Sequence, residues 1–392
     1  MSSYSTSVAT ESVSRSGLSI VILAVAAFVI VTTEYLIVGL LPALSRDLNV
    51  SISAAGQLVT LFAFTVMLFG PILTVLLSHI ERKRLFIVIL LIFSVSNALA
   101  AVAPNIWVLA IARFIPALML PVFWGTASET AGQIVGPKRA GRAVSQVYFG
   151  ISAALLFGIP LGTLASDSIG WRSTFWGLAG LSLLMAILMF IFMPTVARPE
   201  KIKIKEQTRI LKDPRFVANV VLSIVIFTAM FTAYTYLADT LERLVGVQPA
   251  YVGWWLMGFG AIGLIGNWLG GRFVDRNPLR VTVIFTLLLG IGMAFSVPLA
   301  SSLFLLGISL ALWGIAYTAL FPICQVRVMK SASHAQALAG TLNVSAANAG
   351  TGLGAIIGGV AITQWGLGSI GYVATGIAVI AILMVAWIAR LK

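Results

Sequence analysis

Two ionisable residues, Glu34 and Arg113, stand inside long apolar runs, and their types suit the capture and release of a proton. A charged side chain at the centre of a bilayer costs about 2.5–3.5 kcal/mol on insertion scales, so such residues carry a task or hold a partner. Glu34 falls about six residues before the end of the first apolar run, and Arg113 about six residues after the start of the fourth. At a helical rise of about 1.5 Å per residue, both sit roughly 9 Å below the same boundary. Burial favours a neutral carboxyl, whereas a nearby guanidinium favours the ionised one. A carboxyl carried between those two settings would load a proton on one side and release it on the other. A static buried salt bridge is the competing account.

The elements that must position this pair are membrane helices. Of the 392 residues 59% are hydrophobic and only 9% charged, where a water-soluble domain has about a quarter of its residues charged. A helix needs about 20 apolar residues to cross the hydrocarbon core. Runs of that length fall at 17–40, 54–77, 85–103, 107–131, 143–165, 173–193, 216–239, 250–271, 281–299, 302–326, 337–362 and 370–389. An even number of spans puts both chain ends on one side. With that side cytoplasmic, the loops and ends there hold all of the 25 Lys and Arg except Arg46, Arg113, Arg172 and Arg243. Positive residues are retained on the cytoplasmic side during insertion, so the asymmetry accounts for the net charge of +13 without a nucleic-acid partner. The opening residues, Met1 to Gly17, lack the basic stretch of a cleavable signal.

The most charged stretch, Arg198 to Arg215, divides the chain near its middle. The expected organisation is a tail at 1–16, a six-helix half at 17–194, a cytoplasmic loop at 195–215 and a second half at 216–392. A shift of 196 residues tests for a repeat. It pairs Gly70 with Gly266, and the ladder Gly150, Ala154, Gly158, Gly162 with Ala346, Gly350, Gly354, Gly358. Small residues every fourth position let helices approach closely, and in a transporter the same smooth face would let the halves slide. Pro160 removes one backbone hydrogen bond and can bend the fifth helix.

Polar and aromatic residues at mid-depth are the expected lining of a cavity: Trp124, Gln146, Tyr148, Tyr234, Tyr236, Asn267, Tyr317, Gln325, Asn343 and Asn348. Such cavities have mostly apolar walls with a few placed polar groups, although the same side chains also serve as hydrogen bonds between helices. Tyr234 and Tyr236, two apart, cannot share one helix face. Glu129 near the basic side reads as a gate or loop contact, and Asp239, beside Glu242 and Arg243, as a solvated rim. One Cys and two His leave no disulfide framework or multi-ligand Cys/His metal site, and Cys324 reads as packing. Gly258 to Gly263 matches a dinucleotide fingerprint, yet it lies in an apolar helix with no preceding strand. No phosphate-binding loop is present, which disfavours ATP as energy source.

Four stretches resemble one family. They are Thr32-Thr33-Glu34 with Val38-Gly39-Leu40-Leu41-Pro42, and the loop Ser78 to Arg84 with its echo Gly271 to Arg276. The others are Arg113 within Leu109 to Arg113, and Gly158-Ile159-Pro160-Leu161-Gly162 leading to Gly170-Trp171-Arg172. Over essentially its whole length the chain resembles the major facilitator superfamily, of the drug:proton antiporter type. The sugar- and arabinose-efflux branch is the nearest likeness. The resemblance implies an all-α integral membrane fold of twelve helices in two pseudo-symmetric six-helix halves, rocking about a midplane site. It also implies a non-enzymatic exporter in the bacterial cytoplasmic membrane, acting as a monomer, with a proton gradient in place of any cofactor and with Glu34 and Arg113 coupling protons. The gating parts it implies are Glu81, Arg82, Asp275, Arg276, Gly158, Pro160 and Gly162. Ser78 stands where the family carries an Asp, so Glu81 or Asp275 would supply that acid. The apolar Leu120-Pro121 stands where related sugar exporters carry a His, which favours amphipathic cargo over sugars or nucleosides. An integral-membrane enzyme fits less well, since no intramembrane nucleophile or metal cluster is visible, and a passive channel fits poorly with a two-fold repeat that carries one asymmetric acid–base pair.

Overall fold

A computed structural model describes residues 2–77, 79–135, 140–195, 208–274, 276–332 and 336–390. The expected central loop falls largely outside these residues, as does Asp275, while Glu129 and Tyr148 are described in backbone only. The described residues contain twelve helices long and apolar enough to cross a membrane. The first half holds α1 (Ser2–Asp47), α2 (Ile52–Leu77), α3 (Arg82–Ala101), α4 (Ile106–Val135), α5 (Ala140–Ala153 continuing to Ile169) and α6 (Trp171–Phe192). The second holds α7 (Pro214–Leu244), α8 (Pro249–Phe273), α9 (Pro278–Ser296), α10 (Leu303–Lys330), α11 (Gln336–Trp365) and α12 (Ile370–Ile388).

The repeat at a shift of 196 appears in three dimensions, contact by contact. Gly158 is held so close to Thr32, and Gly162 to Leu36, that a Cβ would collide with them. In the second half Gly354 faces Thr228 and Gly358 faces Thr232 in the same way. The corners before α6 and α12 match too, each turning on a glycine at positive φ, Gly170 at 86° and Gly366 at 83°. Such backbone is open to glycine at no steric cost. At the first corner Trp171 Nε1 donates to Asp47 at 3.1 Å and Arg172 pairs with the same carboxylate, tying α6 to the end of α1.

These contacts correct one expectation. The glycine ladder of α5 lies against α1 and that of α11 against α7, each within its own half. It welds helices together and is not the surface on which halves slide. The seam between halves uses other faces. Thr60 of α2 donates to the Gly352 carbonyl of α11 at 3.3 Å, and Gly253 and Gly260 of α8 sit against the carbonyls of Pro160 and Leu155 of α5. Two further contacts join residues 196 apart, so both lie on the pseudo-two-fold axis. Tyr35 stacks on Phe231 at 5.9 Å, and Arg46 pairs with Glu242.

Pro160 acts as the residue type predicts. The residues before it, Ala154–Gly158, form a π turn, with Ile159 N–H donating to the Ala154 carbonyl. Proline cannot donate to the ladder, and a shift of register by one residue is how a helix absorbs such a gap.

Candidate functional site

Arg113 is 1% exposed. Its Nη1 donates to the Thr33 carbonyl and its Nη2 to the Glu34 carbonyl at 2.6 Å. Its guanidinium lies 4.4 Å from the centre of the Phe62 ring on α2. Asn97 of α3 donates to Thr33 Oγ1 at 3.2 Å. Thus α3 and α4 grip α1 at the residues beside Glu34, with Phe62 of α2 packed on Arg113. The structure brings Glu34 and Arg113 together, as their depths suggest, but the hydrogen bonds go to backbone. The Glu34 carboxyl is half-buried, with the Arg113 charge acting on it from nearby. α1 runs on to Asp47 rather than ending at 40, so Glu34 lies about 20 Å from the end of its helix.

Next to Glu34 is an aromatic cluster at the seam. Tyr35 of α1 meets Phe231 of α7. Phe231 touches Tyr234 and Tyr317, each at 5.9 Å. Tyr234 and Tyr317 lie 4.5 Å apart. Phe259 of α8 packs on Tyr234 at 5.6 Å and on Trp313 of α10 at 5.5 Å, and Phe321 extends the group from Tyr317 at 5.5 Å. Edge and offset arrangements of this kind are the ones aromatic pairs prefer.

Of the expected lining residues, only Tyr234 and Tyr317 belong to this cluster. Tyr236 points the other way, donating to the Ala355 carbonyl at 2.7 Å beside Gly56 and Gly359. Gln325 and Asn343 bond each other at 2.7 Å between α10 and α11. Asn348 bonds its own helix at the Val344 carbonyl. Trp124 packs on Phe123 within the first half, and Gln146 and Asn267 are exposed outside the cluster. Tyr35, Phe231, Phe259, Trp313 and Phe321 were missed. A stripe on α10, Trp313, Tyr317 and Phe321, recurs every fourth residue and was readable as one face.

Two charge assignments change. Asp239 is 1% exposed rather than a solvated rim, and pairs with Arg243 at 3.5 Å. Arg327, counted among the loop charges, is buried inside α10. It donates to Thr282 Oγ1, to the Asn219 carbonyl and to Ser223 Oγ at 2.8 Å. Among the expected gating residues, Glu81 caps α3, accepting from the backbone of Lys83 and Arg84. Arg82 is buried, and Arg276 lies 6.0 Å from the ring of Phe273 beside it.

Twelve apolar helices among the described residues, in two like halves, define a polytopic membrane protein. The sequence profile of the Major Facilitator Superfamily matches residues 23–346 and again 222–392. The "Inner membrane transport protein YdhP" of Escherichia coli K12 is 34% identical, over 92% of this chain and 94% of that protein. A "Probable sugar efflux transporter" of Helicobacter acinonychis is 30% identical, over 92% of each. In fold, the chain is similar to a D-xylose-proton symporter, with TM-score 0.74, 17% identity and 93% of this chain against 96% of that one. A bacterial homologue of the lysosomal transporter Spinster, inward-facing and occupied, also gives 0.74 at 15% identity, covering 95% and 96%. The chain belongs to the Major Facilitator Superfamily, and is a transporter rather than an enzyme.

Proposed function

We propose that this protein is a proton-coupled exporter of small amphipathic molecules in a bacterial inner membrane, with both chain ends cytoplasmic. Two relatives carry inner-membrane transport and sugar efflux in their names, which supports membrane and direction. The three arginines left on the face opposite the chain ends are each paired with an acid: Arg46 with Glu242, Arg172 with Asp47 and Arg243 with Asp239. That face offers little free positive charge, in keeping with an external side. The contacts between halves through Arg46–Glu242, Thr60–Gly352 and Gly253–Pro160 crowd toward the same face. The form described is therefore closed outside, and cargo would enter from the cytoplasm.

The observation that carries coupling is the position of Glu34. Its carboxyl stands between a fixed guanidinium and the aromatic cluster, one residue from the axis contact of Tyr35. Rocking of the halves would change its wetting and its distance from cargo, the two levers on a proton. Cargo and proton then compete for one place. The cluster of Tyr35, Phe231, Tyr234 and Tyr317 favours flat or cationic amphipaths. A sugar as cargo is the second reading, favoured by the Helicobacter relative.

Purified protein in proteoliposomes, with an imposed pH gradient, tests both. Ethidium serves as the amphipathic probe and arabinose as the sugar. Uphill movement of ethidium that needs the gradient and is lost in Glu34→Gln is expected. Movement indifferent to the gradient overturns coupling. Transport of arabinose alone transfers the cargo to the second reading.

A further inference from the structure

A buried tyrosine or tryptophan usually finds a partner for its polar atom. Outside the central cluster this holds: Tyr236 donates to the Ala355 carbonyl at 2.7 Å, and Trp171 Nε1 to Asp47 at 3.1 Å. Inside the cluster it fails twice. Tyr317 is 1% exposed and Trp313 2%, and among the described residues neither the Tyr317 hydroxyl nor Trp313 Nε1 meets a hydrogen-bond partner. The two stand one turn apart on one side of α10. Tyr317 is ringed by Phe231, Tyr234, Phe259 and Phe321, with ring centres between 4.5 and 5.9 Å from its own. Its hydroxyl lies within electrostatic reach of Tyr234, and of Tyr35 and Glu34 from the other half, so it is turned toward the seam. A buried donor without a partner destabilises the fold that carries it. Two of them on one helix, both among the rings at the seam, are placed for a guest.

We propose that Tyr317 selects the cargo by hydrogen-bonding a neutral acceptor oxygen (a carbonyl, ether or hydroxyl) on an otherwise flat, apolar guest, with Trp313 as the second donor. An indole N–H can only donate, and a phenol donates as well as accepts. The group that suits both residues is therefore an acceptor. An ammonium group offers nothing to Trp313. A carboxylate would accept, but the Glu34 charge that reaches Tyr317 opposes a second negative charge there. The rings around Tyr317 then cover the apolar body of the guest. An analogue that lacks the oxygen leaves the hydroxyl buried and unpaired, and such sites reject the analogue strongly. Access follows from the seam. Tyr35 of one half stacks on Phe231 of the other, and rocking that parts these rings uncovers the hydroxyl.

The guest's role as cargo rests on the exporter reading; its selection by Tyr317 does not, and can be read without transport. The full chain in lipid nanodiscs is titrated calorimetrically with two flat cations, trimethylammoniomethyl-fluorenone and trimethylammoniomethyl-fluorene, which differ by one carbonyl oxygen. The fluorenone should bind about tenfold tighter, equivalent to about 1.4 kcal/mol. Tyr317→Phe removes the hydroxyl and keeps the ring, so that preference should shrink to about twofold or less. The melting temperature should hold or rise in this variant, because no hydrogen bond within the protein is lost. Trp313→Phe should narrow the preference as well. Equal affinities in the unaltered protein, or a preference that survives Tyr317→Phe, overturns the assignment. So does a lower melting temperature in Tyr317→Phe with both probes weakened alike, the mark of a structural hydroxyl. In proteoliposomes with an imposed pH gradient, the same preference should appear in uphill movement. A binding preference without gradient-driven movement would leave the role of Tyr317 standing and remove the exporter reading.

Discussion

The two halves share a backbone repeat but differ where it matters for charge. The first half places Glu34 and Arg113 at positions whose counterparts, 196 residues on, are Met230 and Ser309. Ser309 does no more than donate to the Gly292 carbonyl at 2.8 Å. The second half has its own buried arginine, Arg327, also hung on a carbonyl and hydroxyls of neighbouring helices. Arg113 has the Glu34 carboxyl nearby, whereas among the described residues no carboxylate pairs with Arg327, whose hydrogen bonds go to neutral groups. A buried guanidinium is therefore a way of fastening helices in both halves. Under the proposed coupling the acid that matters is Glu34, beside the buried guanidinium of the first half, while the second half supplies most of the aromatic rings.

The sharpest way to break that division is Arg113→Ser, which gives the first half the residue of the second. Two charge-assisted hydrogen bonds are lost, about 3 kcal/mol in sum. Folded yield on size exclusion should drop steeply and transport should vanish. Glu34→Gln comes next. It should leave the melting temperature in detergent near its original value, abolish pumping against a gradient, and retain downhill exchange. Retained pumping would move coupling elsewhere. Arg327→Met should be milder, since replacing a buried ion by an apolar residue of like volume is often neutral. A shift of a few degrees and an unchanged pH profile of transport are expected; a displaced profile would show that the second half also handles protons. The smallest effect belongs to Glu242→Gln. An exposed ion pair is worth about 0.2–1 kcal/mol, so the external contact should loosen by no more than about fivefold, read as spin-label distances between Val50 and Val247.

Much of the scaffold was legible because its causes are local in sequence. Apolar runs fixed the helices, and the ladders around Gly158 and Gly354 fixed the repeat. Glu34 and Arg113 were found because charge in an apolar run has few bland explanations. The cluster was not found, because aromatic side chains at depth serve packing as readily as recognition. Trp313 and Phe321 gain their meaning only from where α7 and α8 place Tyr234 and Phe259. Asp239 and Arg327 were misplaced for a related reason, since a charge near the end of an apolar run is read as lying in water until the helix is seen to continue.

The pairs Tyr35–Phe231 and Arg46–Glu242 bear on how such a chain came to differ from a symmetric dimer. In a dimer of identical subunits, a residue on the two-fold axis faces its own copy. Arginine would meet arginine there, and every carboxyl introduced would appear twice. Once the halves are joined in one chain, each position on the axis mutates alone. Opposite charges can then meet face to face, and an acid on one side needs no copy on the other.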